Sequence, residues 1–230
     1  MTLELASIVD QIKALTFKNF DYCIEDKENF LPPGATDSEI QQFENEFNLK
    51  LPDDVKEYLK LLNGEGTTTA NGIEGSEVGM FLGLSALGLD DIKREFNIWK
   101  EVWDGNPEFA EEEYQSVPEG AINAKHVDAD NWIGLTIDGC GNSIGIDLNP
   151  GPKGKAGQVI SWGRHYYDDT VLIADSWTEF LAQLLQDLQA EGFYTVDKEY
   201  NVYDLPETNY LDYVREKKWN EYKGSQPENN

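Results

Sequence analysis

Two histidines, His126 and His165, are the side chains of this sequence that titrate closest to neutrality. Neither belongs to a His-Glu-x-x-His pair. The two cysteines, Cys23 and Cys140, form no cluster, so metal-ligand spacing is absent. His165 follows Arg164 and precedes Asp168 and Asp169, residue types from which an acid–base pair can be built, but the stretch reads as a surface loop. The glycines of Gly139-Cys140-Gly141-Asn142-Ser143-Ile144-Gly145 lack the Lys-Ser/Thr that would reach a phosphate and its cation, and they read as a hairpin turn. Asp138 and Asp147 flank that hairpin, and Asp128 and Asp130 stand one residue apart. None of these acids has the Asp-x-Asp-x-Asp-Gly spacing of a calcium loop. Nothing basic stands beside Cys140 in sequence to hold it as a thiolate. Residue types and spacing therefore give no catalytic set, no metal site and no cofactor motif.

Binding chemistry is better represented. Glu101, Asp104, Glu108, Glu111, Glu112, Glu113 and Glu119 place seven acids in 101–119 with no Lys or Arg, and Trp103, Phe109 and Tyr114 are interleaved with them. Carboxylates steer a basic partner and aromatics anchor it, so these residues are the candidate partner-binding set. The competing reading is a solvated acidic helix and loop whose aromatics face the core. The whole chain carries 44 Asp+Glu against 18 Lys+Arg, a formal charge of −26. Such a field repels nucleic acid and anionic membranes, which are bound through Lys and Arg. It speeds encounter with basic proteins. A surface tuned for solubility or for high salt would give the same count. Oligomeric state leaves no mark in the sequence.

The elements that must position these residues are legible in part. An apolar stripe of Leu5, Ile8, Val9, Ile12 and Leu15 predicts a helix over 3–18, followed by an irregular, charged stretch over 19–30. Thr36 and Glu39 form a capping box ahead of Ile40, Phe43 and Phe47. Asn48 can stop that helix, Pro52 opens the next, and Asn63-Gly64 closes it. A loop over 65–79, a strand over Met80 to Leu84, and a helix over 89–103 with Ile92, Phe96, Trp99 and Trp103 on one side come next. A connection spans 104–119. Strands at 132–137, 143–148 and 158–162 read as a β-meander. A helix capped by Ser176 and Glu179 runs to Gly192. Beyond it, 193–196 reads as a strand and the residues from Tyr210 to Lys217 as a last helix. The expected organisation is one domain over 1–192 and an extension over 193–230. The N-terminus lacks a leader-like basic and apolar run, no segment approaches the ~20 apolar residues of a membrane span, and the sparse cysteines fit a reducing compartment. The expectation is a cytoplasmic protein.

The phrase from Leu31 to Gly66, LPPGATDSEIQQFENEFNLKLPDDVKEYLKLLNGEG, resembles the N-terminal hallmark of the SUKH superfamily: an acidic helix, then a Leu-Pro that opens a second helix ending in Asn-Gly. The stretch from Trp132 to Trp162 is similar to the family's central meander, and Ser176-Trp177-Thr178-Glu179-Phe180-Leu181 to its final helix. The resemblance covers about residues 31–192. It implies an α+β fold, a central antiparallel sheet flanked by helices, with no catalytic set and a role in binding proteins. The family groups fungal cell-wall-assembly regulators of the Smi/Knr type with bacterial immunity proteins that neutralise secreted toxins, often nucleases. The leading expectation is an immunity-type protein whose acidic surface occludes the basic groove of a toxin domain. The alternative is a regulatory scaffold for cell-wall or signalling proteins, and a third reading is a hydrolase using Asp, Glu and His on the sheet. The sequence departs from the family pattern in its Trp-rich helix and acidic connection at 90–119, and in the extension after Gly192.

Overall fold

Buried Ile8, Val9, Ile12, Thr16 and Phe20 recur at helical spacing and make Leu5–Phe20 the first helix, α1. A single turn, α2 (Lys27–Phe30), interrupts the stretch that reads as irregular. Asp26 caps it by accepting from the backbone N–H of Glu28 and Asn29. The two-helix unit follows as the sequence predicts. Thr36 and Glu39 form a complete capping box at the start of α3 (Asp37–Phe47), and Asn48 stops that helix in the left-handed region. α4 (Asp53–Leu61) starts after Pro52. The Asp54 carboxylate accepts from the N–H of Thr178, 3.0 Å away, and so ties α4 to a helix more than a hundred residues later.

The computed structural model describes residues 4–24, 26–66, 68–70, 73–76, 78–111, 114–123, 127–166, 169–205 and 209–225. The segment expected as a loop holds a small antiparallel hairpin, β1 (Thr68–Ala70) and β2 (Ile73–Ser76). The strand expected over Met80 to Leu84 is instead a tight turn. Gly79 and Gly83 both have positive φ, and the Gly83 N–H donates to Gly79 O at 2.7 Å, which curls the chain back. Pairing begins one residue later, in β3 (Ser85–Ala86). α5 (Leu89–Gly105) extends two residues past its predicted end, and its first N–H donates to the Asn63 side chain at 2.9 Å. A 3-10 turn (Pro107–Glu111) leads to β4 (Gln115–Val117).

The predicted first meander strand is divided into β5 (Trp132–Gly134) and β6 (Thr136–Ile137), and β6 leaves the main sheet to pair with β3. β7 (Asn142–Asp147) and β8 (Gln158–Gly163) complete the meander. β9 (Asp169–Ala174) continues it, and α6 (Trp177–Gln189) follows. The main sheet has the order β4-β9-β8-β7-β5. Its strands are antiparallel except for β4, which lies parallel to β9, with Gln115 opposite Asp169 and Val117 opposite Val171. The expected antiparallel sheet is thus mixed. β4 precedes the meander and reaches β9 only across a long intervening connection, which is the condition for parallel pairing. At Gly145 a Cβ would stand 2.0 Å from Ile133 O, so only glycine lets β7 and β5 approach this closely.

The two faces of the sheet carry separate apolar clusters. Ile133, Ile144, Ile146, Val159, Val171 and Ile173 join α1, α3, α4 and α6 in the larger one, where Trp177 packs edge-on against Tyr58 at 5.3 Å between centroids. Trp132, Ile160 and Trp162 face the other way, against Ala121, Ile122, Val127 and Ala129, with Trp99 and Trp103 of α5 and Leu172 packed on them. After α6 the chain forms a hairpin, β10 (Thr195–Asp197) with β11 (Val202–Asp204), and a last helix, α7 (Tyr210–Ser225). Among the described residues no helix is long and apolar enough to cross a membrane.

Candidate partner-binding surface

α7 begins where the Asn209 side chain accepts from the Asp212 N–H at 2.9 Å, the geometry of an N-terminal cap. Tyr210, Leu211 and Val214 are buried in the main core, so α7 packs on the sheet. One turn later comes a buried charge. Arg215 is 5% exposed; it donates to the Ser161 hydroxyl at 2.7 Å and to Ser161 O at 3.1 Å, and pairs with the Asp169 carboxylate. Its guanidinium lies 3.6 Å from the centre of the Tyr166 ring. Burial lowers the Arg215 pKa, and Asp169 opposes that shift. The Tyr166 hydroxyl donates to Asp212 at 2.7 Å; burial and that carboxylate push its pKa up. Trp219 completes the set by donating its indole N–H to Asp169. Four residues apart, Arg215 and Trp219 share one helix face, and both bind the Asp169 carboxylate.

The indole and its neighbour Tyr222 stand over the edge of the sheet. A hollow of about 450 Å³ lies along β4, lined by Tyr114, Gln115, Ser116, Val117, Glu119, Gly120, Ile122, Trp219 and Tyr222. It wraps the edge: Trp219 and Tyr222 belong to the face covered by α7, and Ile122 to the face covered by α5. The Ser116 hydroxyl donates to Pro118 O at 2.6 Å and accepts from the Ile122 N–H at 2.9 Å, which holds the 117–122 turn as the other wall. A second hollow of about 320 Å³ shares Val117 and Tyr222 with the first and passes Asp175, Glu179, Lys218 and Glu221. A third, about 190 Å³, continues between α6 and α7 from Glu179 and Lys218. Lys218 pairs with Glu221 at 3.1 Å, leaving Glu119, Asp175 and Glu179 as the other charges of the first two hollows.

The sequence-predicted set is distributed unevenly around this edge. Glu101 and Asp104 are exposed at the end of α5, and Glu108 on the turn after it. Trp103 and Phe109 are half-buried, and Trp103 packs against the second apolar cluster. Tyr114 is 7% exposed and lines the hollow along β4 together with exposed Glu119. Glu112 and Glu113, and the side chain of Glu111, lie outside the described residues. Tyr114 and Glu119 are thus brought together, with Trp219 and Tyr222 beside them. The helix expected from Tyr210 to Lys217 stops short of those two, which lie on α7. Their signal was available, since Arg215, Trp219 and Tyr222 recur at the i, i+4, i+7 spacing of one helix face.

Asp138, Asp147 and His165, considered above for other chemistry, take structural roles. Asp138 accepts from the N–H of Cys140 at 2.7 Å and of Asn142 at 3.0 Å, and Gly139 and Gly141 have positive φ, so the glycine-rich stretch is a hairpin turn. His165 is exposed, with its Nδ1 2.8 Å from the Asn142 amide nitrogen, while Asp169 turns away to Arg215 and Trp219. His126 and Asp168 lie outside the described residues. Cys140 is an exposed free thiol and Cys23 a buried one whose pKa burial raises. Asp147 is fully buried, accepting from Gln158 and from the Asn149 N–H, each at 2.9 Å; burial raises its carboxyl pKa.

Residues 34–183 match the model of the SMI1 / KNR4 family (SUKH-1). The chain is 32% identical over 197 residues to the "Cell wall biosynthesis/cell cycle regulator smi1" of Schizosaccharomyces pombe, an alignment that covers 79% of this chain and 37% of that protein. It is 28% identical over 194 residues to the "Cell wall assembly regulator SMI1" of Saccharomyces cerevisiae, covering 71% and 37%. It is 28% identical over 211 residues to a "Glucan synthesis regulatory protein" of Neurospora crassa, covering 77% and 37%. The chain spans little more than a third of the length of these relatives. β4, β9 and α6's first turns fall inside the matched segment and α7 falls beyond it. With the capped helix pair, the meander and Trp177 all inside that match, this chain belongs to the SMI1/KNR4 (SUKH-1) family.

Proposed function

We propose that this chain is a non-enzymatic scaffold that binds protein components of cell-wall synthesis or its signalling, and regulates them by holding them. The observation that carries this reading is the set of relatives: three fungal proteins named as regulators of the wall or of glucan synthesis match more than two-thirds of the chain. The residues agree with it. His165 and the buried aspartates serve turns and packing, whereas the aromatic hollow along β4 has the apolar centre and charged rim of a protein contact. The formal charge of −26 favours basic partners and disfavours nucleic acid and anionic membranes. Glu101, Asp104 and Glu108 extend that acidic field. The toxin-neutralising reading draws on the same charge but has no counterpart in the names of these relatives.

The test is a chimaera in which this chain replaces the aligned segment of the fission-yeast relative, expressed in a strain lacking that gene. The expected result is growth on a wall-binding dye restored toward the wild-type level. A chimaera present at normal abundance that grows no better than the deletion strain would overturn the proposal.

A further inference from the structure

Resting on the protein-binding reading, we infer that the outer edge of β4 receives an extended, Lys- or Arg-bearing segment of a partner protein as an added strand. β4 ends the main sheet, and among the described residues no strand pairs with its outer side. An edge strand presents backbone N–H and C=O groups that template another strand, and soluble proteins usually block such edges with lysines, bulges or cover. Gln115-Ser116-Val117 carries no charge. The hollow of about 450 Å³ runs beside these residues, with the half-buried rings of Trp219 and Tyr222 on one side and Ile122 on the other. A strand laid there would place alternate side chains toward the two walls. Three residues of β4 offer about 10 Å of pairing, too little to hold a segment by backbone bonds alone, so the aromatic wall must supply the rest.

Charge selects among occupants. Glu119 sits at the rim of the hollow, and Asp175 and Glu179 line its continuation, where Lys218 is already neutralised by Glu221; these carboxylates outnumber the Lys223 ammonium, which lies 5.0 Å from the centre of the Trp219 ring. A basic segment gains from these carboxylates and from the net −26 behind them. A second copy of this chain would bring the same charge to the same edge and be repelled.

The experiment uses the full chain to select from a displayed library of random dodecapeptides. The selected consensus is then synthesised and measured by fluorescence anisotropy at two salt concentrations. The expected consensus alternates Lys or Arg with apolar residues, binds more weakly as salt rises, and slows amide exchange at Gln115 to Val117. Tyr222→Ala should weaken it about tenfold, as truncation of an aromatic anchor does, and Glu119→Lys should weaken it further. Glu119 is exposed and Tyr222 half-buried, and unchanged circular dichroism spectra will show that the variants fold. Failure to enrich any peptide, an acidic consensus, protection confined to another face, or equal binding by the variants would each overturn the inference. Self-association abolished by Tyr222→Ala would overturn it in favour of a second copy. A working chimaera with no peptide at β4 refutes this site and leaves the scaffold reading intact; peptide binding with a failed chimaera does the reverse.

Discussion

Replacing Arg215 tests whether α7 is held by its buried charge. Arg215→Met keeps a side chain of similar length and removes the charge and its bonds to Ser161 and Asp169. Breaking one half of a buried ion pair costs about 3–5 kcal/mol, chiefly because the other charge is left without a partner. The two halves here are unequal. The Asp169 side chain is 16% exposed and keeps the Trp219 N–H, whereas the Arg215 side chain is 7% exposed and would keep only neutral partners, Ser161, the backbone carbonyl at 169 and the Tyr166 ring. Arg215→Met should therefore cost near the lower end, about 3 kcal/mol, and Asp169→Leu nearer the upper end, about 5 kcal/mol. The double change should cost much less than the sum, since neither charge is then stranded. Urea unfolding followed by tryptophan fluorescence reads all three, with a quenched or shifted signal expected from Trp219 before the main transition. If both single changes fall within about 0.5 kcal/mol of wild type, the range of ordinary surface substitutions, the buried pair does not fix the helix. The account of how Trp219 is positioned would then fail.

Thr36→Ala should lower stability by about 1 kcal/mol through loss of the α3 cap, and an unchanged urea midpoint would show that the box is decorative. Gly145→Ala should destabilise strongly, because its Cβ would collide with Ile133 O; an alanine variant with native melting behaviour would mean β5 and β7 can separate freely. Asp187 is buried, and desolvation raises its carboxyl pKa above the ordinary 3.8, although the Tyr210 hydroxyl donates to it at 2.9 Å. Its folded form therefore holds a proton more tightly than the unfolded chain does. The resulting penalty is absent below 3.8 and grows as pH rises through the raised value. Asp187→Asn should accordingly gain on wild type between pH 3.5 and about 7. A constant difference across that range would contradict the sign.

What could be read from the sequence was what local rules enforce. Thr36 and Glu39 specify a helix start by hydrogen bonds three residues apart, and Asn48 specifies the stop, so α3 was legible without its surroundings. The alternation of Ile144, Ile146 and Leu148 and the glycines at 139 and 141 similarly fixed the hairpin. β4 was illegible for a physical reason: three residues ahead of a proline carry no periodicity, and they are a strand only because β9 lies alongside. β9, by contrast, carries a continuous apolar run from Val171 to Ala174 that a strand pattern can reach. Over Met80 to Leu84 the apolar pattern misled, since backbone freedom at Gly79 and Gly83 outweighed it. The candidate surface followed the same division. Acidic residues and Tyr114 stand out in composition, but their meeting with Trp219 and Tyr222 depends on Arg215 reaching Ser161 across the sheet, a contact spanning 54 residues.

The acidic field and the aromatic edge should separate in kinetics. Exposed charges outside a contact act on encounter more than on the bound state, and salt screens that effect. Glu101, Asp104 and Glu108 are exposed on α5 and its following turn and do not line the hollow, whereas Tyr222 does. Reversing the three acids to lysine should slow association of the selected basic peptide several-fold at low salt, converge with wild type near 0.5 M salt, and leave dissociation unchanged. Tyr222→Ala should leave association nearly unchanged and speed dissociation by about tenfold. Stopped-flow anisotropy resolves the two rates. If the acid reversals speed dissociation as much as Tyr222→Ala does, the contact includes the end of α5 and the edge of β4 is only part of it.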